Sequence, residues 1–149
     1  MEQLKAIILA AGKGTRMKSE LPKVVHRIDG QCLVDYVIDA AKGAGATDIC
    51  LVVGYKHEVV EAEISHKDVQ YALQTEQLGT GHAVKCAGDF LTGEGETLIL
   101  FGDTPLITAD TLKRLKDYHR EKGNTVTFPV TGVRQYYKKG IKAGRWVYV

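Results

Sequence analysis

The sequence lacks the marks of secreted disulfide-rich, membrane-spanning and fibrous proteins. Among 149 residues it has three cysteines, an odd number without a C-x-x-C pair, which argues against a disulfide framework and a zinc site. Its longest apolar run, residues 6–11, is much shorter than the ~20 residues that cross a bilayer. The N-terminus has no basic segment followed by a long apolar stretch, so we expect no secretory signal. These absences predict a cytoplasmic protein without a membrane partner.

Acidic residues are missing from the end of the chain, which makes its charge asymmetric. Residues 1–121 contain 14 Lys and Arg against 18 Asp and Glu, whereas residues 122–149 contain 6 basic residues and no acid. A basic tail could bind nucleic acid or acidic lipid. This tail has no recognisable recognition motif, and a solvated terminal segment is the simpler interpretation. We therefore expect no nucleic-acid partner.

What the sequence does contain is an ordinary globular composition, with 44% hydrophobic and 26% charged residues, in a regular alternation of strand and helix patterns. Short aliphatic runs predict strands at residues 4–10, 49–53, 69–73, 97–101 and 125–130, with 145–149 as a candidate further strand. Helical spacing predicts helices at 33–41, 57–64, 80–91 and from about 108 onward. This alternation predicts an α/β fold with a Rossmann-like, doubly wound and mostly parallel sheet.

Ligands of such sheets bind beyond the carboxyl ends of the strands, so the loops that follow the strands are the candidate site. The first of these loops, residues 9–17, reads Leu-Ala-Ala-Gly-Lys-Gly-Thr-Arg-Met. Gly12 and Gly14 let backbone N–H groups approach a phosphate, and Lys13 and Arg16 could add positive charge. The loop matches neither a Walker A loop nor a dinucleotide fingerprint, and a tight turn explains it equally well.

A proline and a lysine follow that loop. Because Pro22 holds the preceding residue extended, Lys23 projects from a rigid point, where it could neutralise the charge of a triphosphate. A plain surface lysine is the simpler alternative.

Two further loops carry polar groups. Gln74 begins the first, and its amide could pair with the polar edge of a base through donor and acceptor together. Glycines surround Thr80 in the same loop, which is an arrangement that could bind an anion at a helix start or could be an ordinary N-capped turn. Asp103 lies in the second loop, where its carboxylate could bind Mg²⁺ beside phosphates or could organise the turn before Pro105.

Taken in this order, the four motifs closely resemble the N-terminal part of the bacterial N-acetylglucosamine-1-phosphate uridylyltransferases, within the sugar-1-phosphate nucleotidyltransferase superfamily. The resemblance covers residues 4 to about 126, and residues 78–83, Leu-Gly-Thr-Gly-His-Ala, are its most specific part. Members of that family are usually bifunctional, with a left-handed β-helix acetyltransferase behind the uridylyltransferase. The resemblance implies a nucleotide-diphospho-sugar transferase type of fold, here truncated. It also implies UTP, N-acetylglucosamine 1-phosphate and pyrophosphate as partners, and Mg²⁺ as the cofactor.

The resemblance further implies a role for each matching residue. Arg16 and Lys23 would be the catalytic residues at the phosphates, Asp103 would hold the Mg²⁺ ion, and Gln74 would read the uracil. The residues expected to bind the nucleotide are Leu9, Ala10, Ala11, Gly12, Gly14, Lys23, Gln74, Gly79, Thr80, Phe101, Gly102 and Asp103.

The end of the chain departs from the family pattern. Residues 131–149 do not match the continuation that binds the sugar and completes the metal site, and no acid follows Glu121. We therefore divide the chain into a nucleotide-binding part, residues 1–130, and an atypical basic segment, residues 131–149. Two alternatives stay open. One is a non-catalytic UTP-binding module, and the other is a molybdenum-cofactor-type nucleotidyltransferase that uses GTP, which should not carry residues 77–83. The sequence leaves the oligomeric state undetermined.

Overall fold

The computed structural model describes residues 3–131 and 147–148. Its helices and strands alternate along most of the chain. In order they are β1 (Leu4–Leu9), β2 (Arg27–Ile28), β3 (Gln31–Cys32), α1 (Leu33–Gly43), β4 (Asp48–Val53), α2 (His57–Glu63), β5 (Gln70–Leu73), α3 (Thr80–Cys86), β6 (Glu96–Phe101), α4 (Ala109–Lys122), β7 (Val130–Thr131) and β8 (Val147–Tyr148). Short 3-10 turns lie at Thr15–Met17, Lys23–Val25 and Gly88–Leu91.

Four strands form a parallel sheet in the order β5-β4-β1-β6. In its register, Ile7 at the centre of β1 lies between Cys50 of β4 and Ile99 of β6. The strand order reverses beside β1, because the chain moves outward in one direction through β4 and β5 and then returns to the other side with β6. This is a doubly wound arrangement, and it confirms the predicted α/β class.

Alternating side chains of β1 fill two apolar layers, one on each face of the sheet. Ala6 and Ile8 pack with the buried faces of α1 and α2, whereas Ile7 packs on the opposite face with α3. Both faces of a parallel sheet are covered in this way, which is why its central strands read as unbroken aliphatic runs. The carboxyl ends of the strands remain uncovered, and the candidate site lies there.

The prediction of a fifth strand at residues 125–130 is wrong for all but its last residue. Thr127 instead makes side-chain hydrogen bonds, since its hydroxyl lies 2.9 Å from Nδ1 of His119 and 3.0 Å from Nδ2 of Asn124. Pro129 also lacks the N–H that a strand ladder requires. The strand β7 begins at Val130 and pairs antiparallel with β8, in a sheet separate from the parallel one.

Two smaller differences concern lengths. The helix predicted at residues 80–91 ends at Cys86 and is followed by a 3-10 turn. The predicted strand at 145–149 forms at Val147–Tyr148, and residues 145, 146 and 149 lie outside the described residues.

The chain divides into two compact units, Met1–Leu112 and Lys113–Val149. The division proposed from the sequence, at residue 130, stays a prediction. Within the part of the chain that the structure describes, no helix has the length and apolar character needed to span a membrane.

Candidate active site

A cleft of about 410 Å³ opens at the carboxyl ends of β1, β5 and β6, within the first unit. Its walls come from the four loops that the sequence singled out. The residues that line it are Leu9, Ala10, Ala11, Gly12, Gly14, Thr15, Arg16, Met17, Lys23, Val24, Gln74, Gln77, Gly79, Thr80, Ala83, Phe101 and Asp103. The structure thus brings together every residue expected to bind the nucleotide except Gly102.

Gly102 lies just behind the cleft wall and supports it. Its N–H donates to the carbonyl of Leu9 at 2.9 Å, so the loop after β6 is tied to the end of β1. A Cβ atom at this position would lie 3.1 Å from the Leu9 oxygen and 3.2 Å from Cγ1 of Val24. The glycine is therefore needed for close packing of two loops.

The loop after β1 turns sharply at Gly14, which has a φ of 62° in the left-handed region. A Cβ atom here would lie only 2.5 Å from Cβ of Lys23. Gly12 faces open space instead, and a Cβ atom added there would meet no other part of the chain within 4 Å. The two glycines therefore differ: Gly14 makes room for Lys23, and Gly12 leaves room for a ligand.

Lys23 is held by buried neighbours. Pro22, Val24 and Val25 are all buried, so the 3-10 turn that begins at Lys23 is anchored on both sides. The ammonium group of Lys23 lies 2.8 Å from the carboxylate of Asp103, and each side chain is about a third exposed, at 39% and 36%. A cation and a carboxylate thus face each other at the mouth of the cleft.

The two other basic residues of the first loop differ in position. Arg16 lines the cleft, as expected. Lys13 does not belong to the lining, and its ammonium group lies 5.4 Å from the ring centre of Tyr55 in a cation–π contact. We therefore assign the positive charge of the cleft to Arg16 and Lys23.

Gln74 is almost fully buried, with 3% of its surface exposed, at the end of β5. Its Nε2 lies 3.2 Å from the Gly79 carbonyl oxygen and 3.0 Å from Nδ1 of His82. The sequence suggested that this amide uses its donor and acceptor together on a base. The structure differs, because the nitrogen is already engaged inside the protein.

Five lining residues were not predicted from the sequence: Thr15, Met17, Val24, Gln77 and Ala83. Gln77 has the clearest role among them. Its Nε2 donates to the carbonyl of Ala11 at 2.9 Å, across 66 residues of sequence, and so links two walls of the cleft. The signal that could have found it is its place beside the glycines of the third loop.

The lining of the cleft contains one acidic side chain. Asp103 is the carboxylate in its lining, and the described residues include no group of three or more His, Cys, Asp and Glu side chains that could hold a metal ion unaided. Mg²⁺ commonly takes one or two protein carboxylates and completes its shell with phosphates and water. The donor set therefore fits a magnesium ion that arrives with a nucleotide, and not a permanently caged metal.

A doubly wound sheet with a glycine loop, two cations and one carboxylate at its strand ends is the arrangement expected of a nucleotidyltransferase domain. The family comparison agrees. The chain belongs to the family of MobA-like NTP transferase domains, whose family model matches residues 6–142.

Curated relatives extend this finding. The chain is 54% identical over 127 residues to the bifunctional protein GlmU of Caldanaerobacter subterraneus, and it covers 28% of that protein. It is 48% identical over 129 residues to the protein of the same name from Clostridioides difficile, again covering 28%. These matches include 85% and 87% of the chain. The chain thus spans just over a quarter of the length of these relatives.

Solved structures show the same fold. A nucleotidyl transferase from Methanothermobacter superposes with a TM-score of 0.67 at 22% identity, covering 78% of this chain and 57% of that one. A Mycobacterium tuberculosis protein in complex with manganese gives a TM-score of 0.67 at 20% identity, covering 80% and 60%. At these identities the likeness concerns the fold alone.

Proposed function

We propose that this chain is the nucleotide-binding part of a uridylyltransferase. The reaction joins UTP and N-acetylglucosamine 1-phosphate to give UDP-N-acetylglucosamine, a cell-wall precursor, and pyrophosphate. One observation carries the proposal: Gly12, Lys23, Gly79 and Asp103, from four separate loops, line a single cleft. The motif order and the identity of about half to the GlmU proteins support the choice of substrates.

The proposed chemistry is a direct displacement. A phosphate oxygen of the sugar 1-phosphate attacks the α-phosphorus of UTP in line, and the bond from that phosphorus to the pyrophosphate oxygen breaks. No covalent bond to the protein is needed. The contribution of the chain is positioning and charge neutralisation, for which Arg16 and Lys23 at the cleft are the available cations.

Asp103 is the residue that would hold Mg²⁺, together with phosphate oxygens of the nucleotide. The ion would neutralise charge on the phosphoryl oxygens of UTP. In the structure, Lys23 balances the Asp103 carboxylate at 2.8 Å. When the nucleotide binds, Lys23 would exchange this partner for a phosphate, which leaves the Asp103 carboxylate available to the ion.

The base and ribose would lie against the third loop. Gln74 is buried at the wall, and Gly79 and Thr80 follow within the same lining. We assign uracil recognition to Gln74 and contacts to the nucleoside to the backbone of Gly79 and the side chain of Thr80. We also propose a cytoplasmic setting, because all three cysteines are free thiols.

A second candidate is a chain that binds UTP without turnover. It is favoured by the single carboxylate in the cleft lining and by the lack of any acidic residue after Glu121 in the sequence. A GTP-dependent molybdenum-cofactor-type enzyme is a third candidate. The Leu-Gly-Thr-Gly-His-Ala stretch at residues 78–83 counts against it.

Steady-state pyrophosphate release tests these proposals. With UTP, N-acetylglucosamine 1-phosphate and Mg²⁺, we expect release that depends on all three components. Binding of UTP without release would support the second candidate, and equal release with GTP in place of UTP would support the third. An absence of both binding and release would contradict the proposed function.

A further inference from the structure

The hydrogen-bond donors of one buried amide are fully used inside the protein. Gln74 Nε2 carries two N–H groups, and it has two partners, the Gly79 carbonyl at 3.2 Å and His82 Nδ1 at 3.0 Å. A carbonyl oxygen only accepts hydrogen bonds. If the amide were rotated by half a turn, the Gln74 oxygen would face the Gly79 oxygen without a proton between them. The carbonyl therefore fixes the nitrogen on this side.

The same hydrogen bonds determine which ring nitrogen of His82 carries the proton. Since Gln74 Nε2 donates to it, Nδ1 of His82 must be unprotonated, and the ring proton lies on Nε2. The Nε2 atom lies 3.9 Å from the thiol sulfur of Cys86, one turn further along α3. The imidazole is thus neutral when Gln74 adopts this orientation.

We infer that His82 is a positioning residue that makes Gln74 a hydrogen-bond acceptor toward the cleft and thereby selects a base with a ring N–H. The inference rests on the proposed function and deepens it. With both N–H groups engaged, the amide oxygen is the polar atom that Gln74 can offer to a ligand. At the base edge that carries N3, uracil has an N–H group that can donate to the Gln74 amide oxygen. The N3 atom of cytosine is itself an acceptor and is repelled by that oxygen.

The test compares two variants of similar shape in the full chain. Asn can place an acceptor near the position of Nδ1, whereas Leu has nearly the same volume as Asn and no acceptor. The measured quantity is the ratio of CTP to UTP dissociation constants with Mg²⁺, by calorimetry. We expect His82→Leu to lower this ratio about five- to tenfold, as for the loss of one hydrogen bond, and His82→Asn to retain it.

The comparison of the two variants decides the inference. A ratio in His82→Leu that equals the ratio in the unmodified chain, or a ratio that falls equally in both variants, overturns it. A failure of UTP to bind the unmodified chain overturns the proposed function as well.

Discussion

The ammonium group of Lys23 lies 2.8 Å from the carboxylate of Asp103, although 80 residues separate them in the sequence. Both side chains are about a third exposed, and a pair in such a position contributes only about 0–1 kcal/mol to stability. The placement of this pair therefore matters little for folding. Its significance is that a cation lies beside the carboxylate that we propose as the Mg²⁺ ligand, at the mouth of the cleft.

We predict that Asp103→Asn weakens UTP binding in the presence of Mg²⁺ much more than in its absence. The amide keeps the shape of the side chain but removes the negative charge that the metal requires. Calorimetric titration with UTP, once with Mg²⁺ and once with a chelator, measures both affinities. The melting temperature should hardly change.

Asp89→Asn is the matched control for this substitution, since Asp89 is exposed and lies outside the cleft lining. It should leave both affinities unaltered. Equal losses with and without metal in Asp103→Asn would argue against the metal role of that carboxylate.

The two glycines of the first loop should respond differently to alanine. In Gly14→Ala the new methyl group would meet Lys23 at 2.5 Å in a left-handed backbone, so we expect a loss of about 1–2 kcal/mol in the free energy of unfolding and weaker UTP binding. In Gly12→Ala the methyl group enters open space within the cleft. Here the stability should be kept while UTP binding weakens.

Urea denaturation and calorimetry separate these two effects. Gly88→Ala serves as the control, because this glycine also has open space around it but lies outside the cleft. It should change neither quantity. If Gly12→Ala bound UTP as well as the unmodified chain, the first loop could not be the nucleotide contact that we propose.

The three cysteines should differ strongly in reactivity. Cys86 is partly exposed, whereas Cys32 and Cys50 are buried. Burial raises the pKa of Cys32, and it raises the pKa of Cys50 to about 11. A raised pKa means less of the reactive thiolate at any given pH below it. At about pH 8, iodoacetamide should therefore modify Cys86 first.

Peptide mass mapping identifies the modified residue. In urea, all three thiols should react at similar rates, because burial is lost. Modification of native Cys50 as fast as that of Cys86 would contradict the burial of Cys50 in β4, between β1 and β5.

Much of the fold could be predicted because buried parallel strands appear in the sequence as short aliphatic runs. The runs at β1 and β4 are aliphatic almost without interruption, since both faces of the sheet are covered. The same logic placed the four loops at one edge. The prediction of a strand at residues 125–130 is wrong for all but Val130, because a local sequence pattern does not show the hydrogen bonds that Thr127 makes with His119 and Asn124.

The finer features of the site depend on contacts that no local pattern records. Gln77 reaches the Ala11 carbonyl across 66 residues, and the direction of the Gln74 amide is set by the Gly79 carbonyl and His82. Residue types alone suggested a base-reading glutamine. They could not show which of its two polar atoms remains available, because that depends on the folded loop around it.

The central claim is that the cleft binds a magnesium-bound uridine triphosphate. The most direct test is to measure the melting temperature of the chain with Mg²⁺ and equal concentrations of UTP, GTP or ATP, since a ligand that binds more tightly stabilises the folded state more at the same concentration. We predict a clearly larger rise with UTP than with either purine nucleotide. Equal rises with all three nucleotides, or no rise with UTP, would contradict the account.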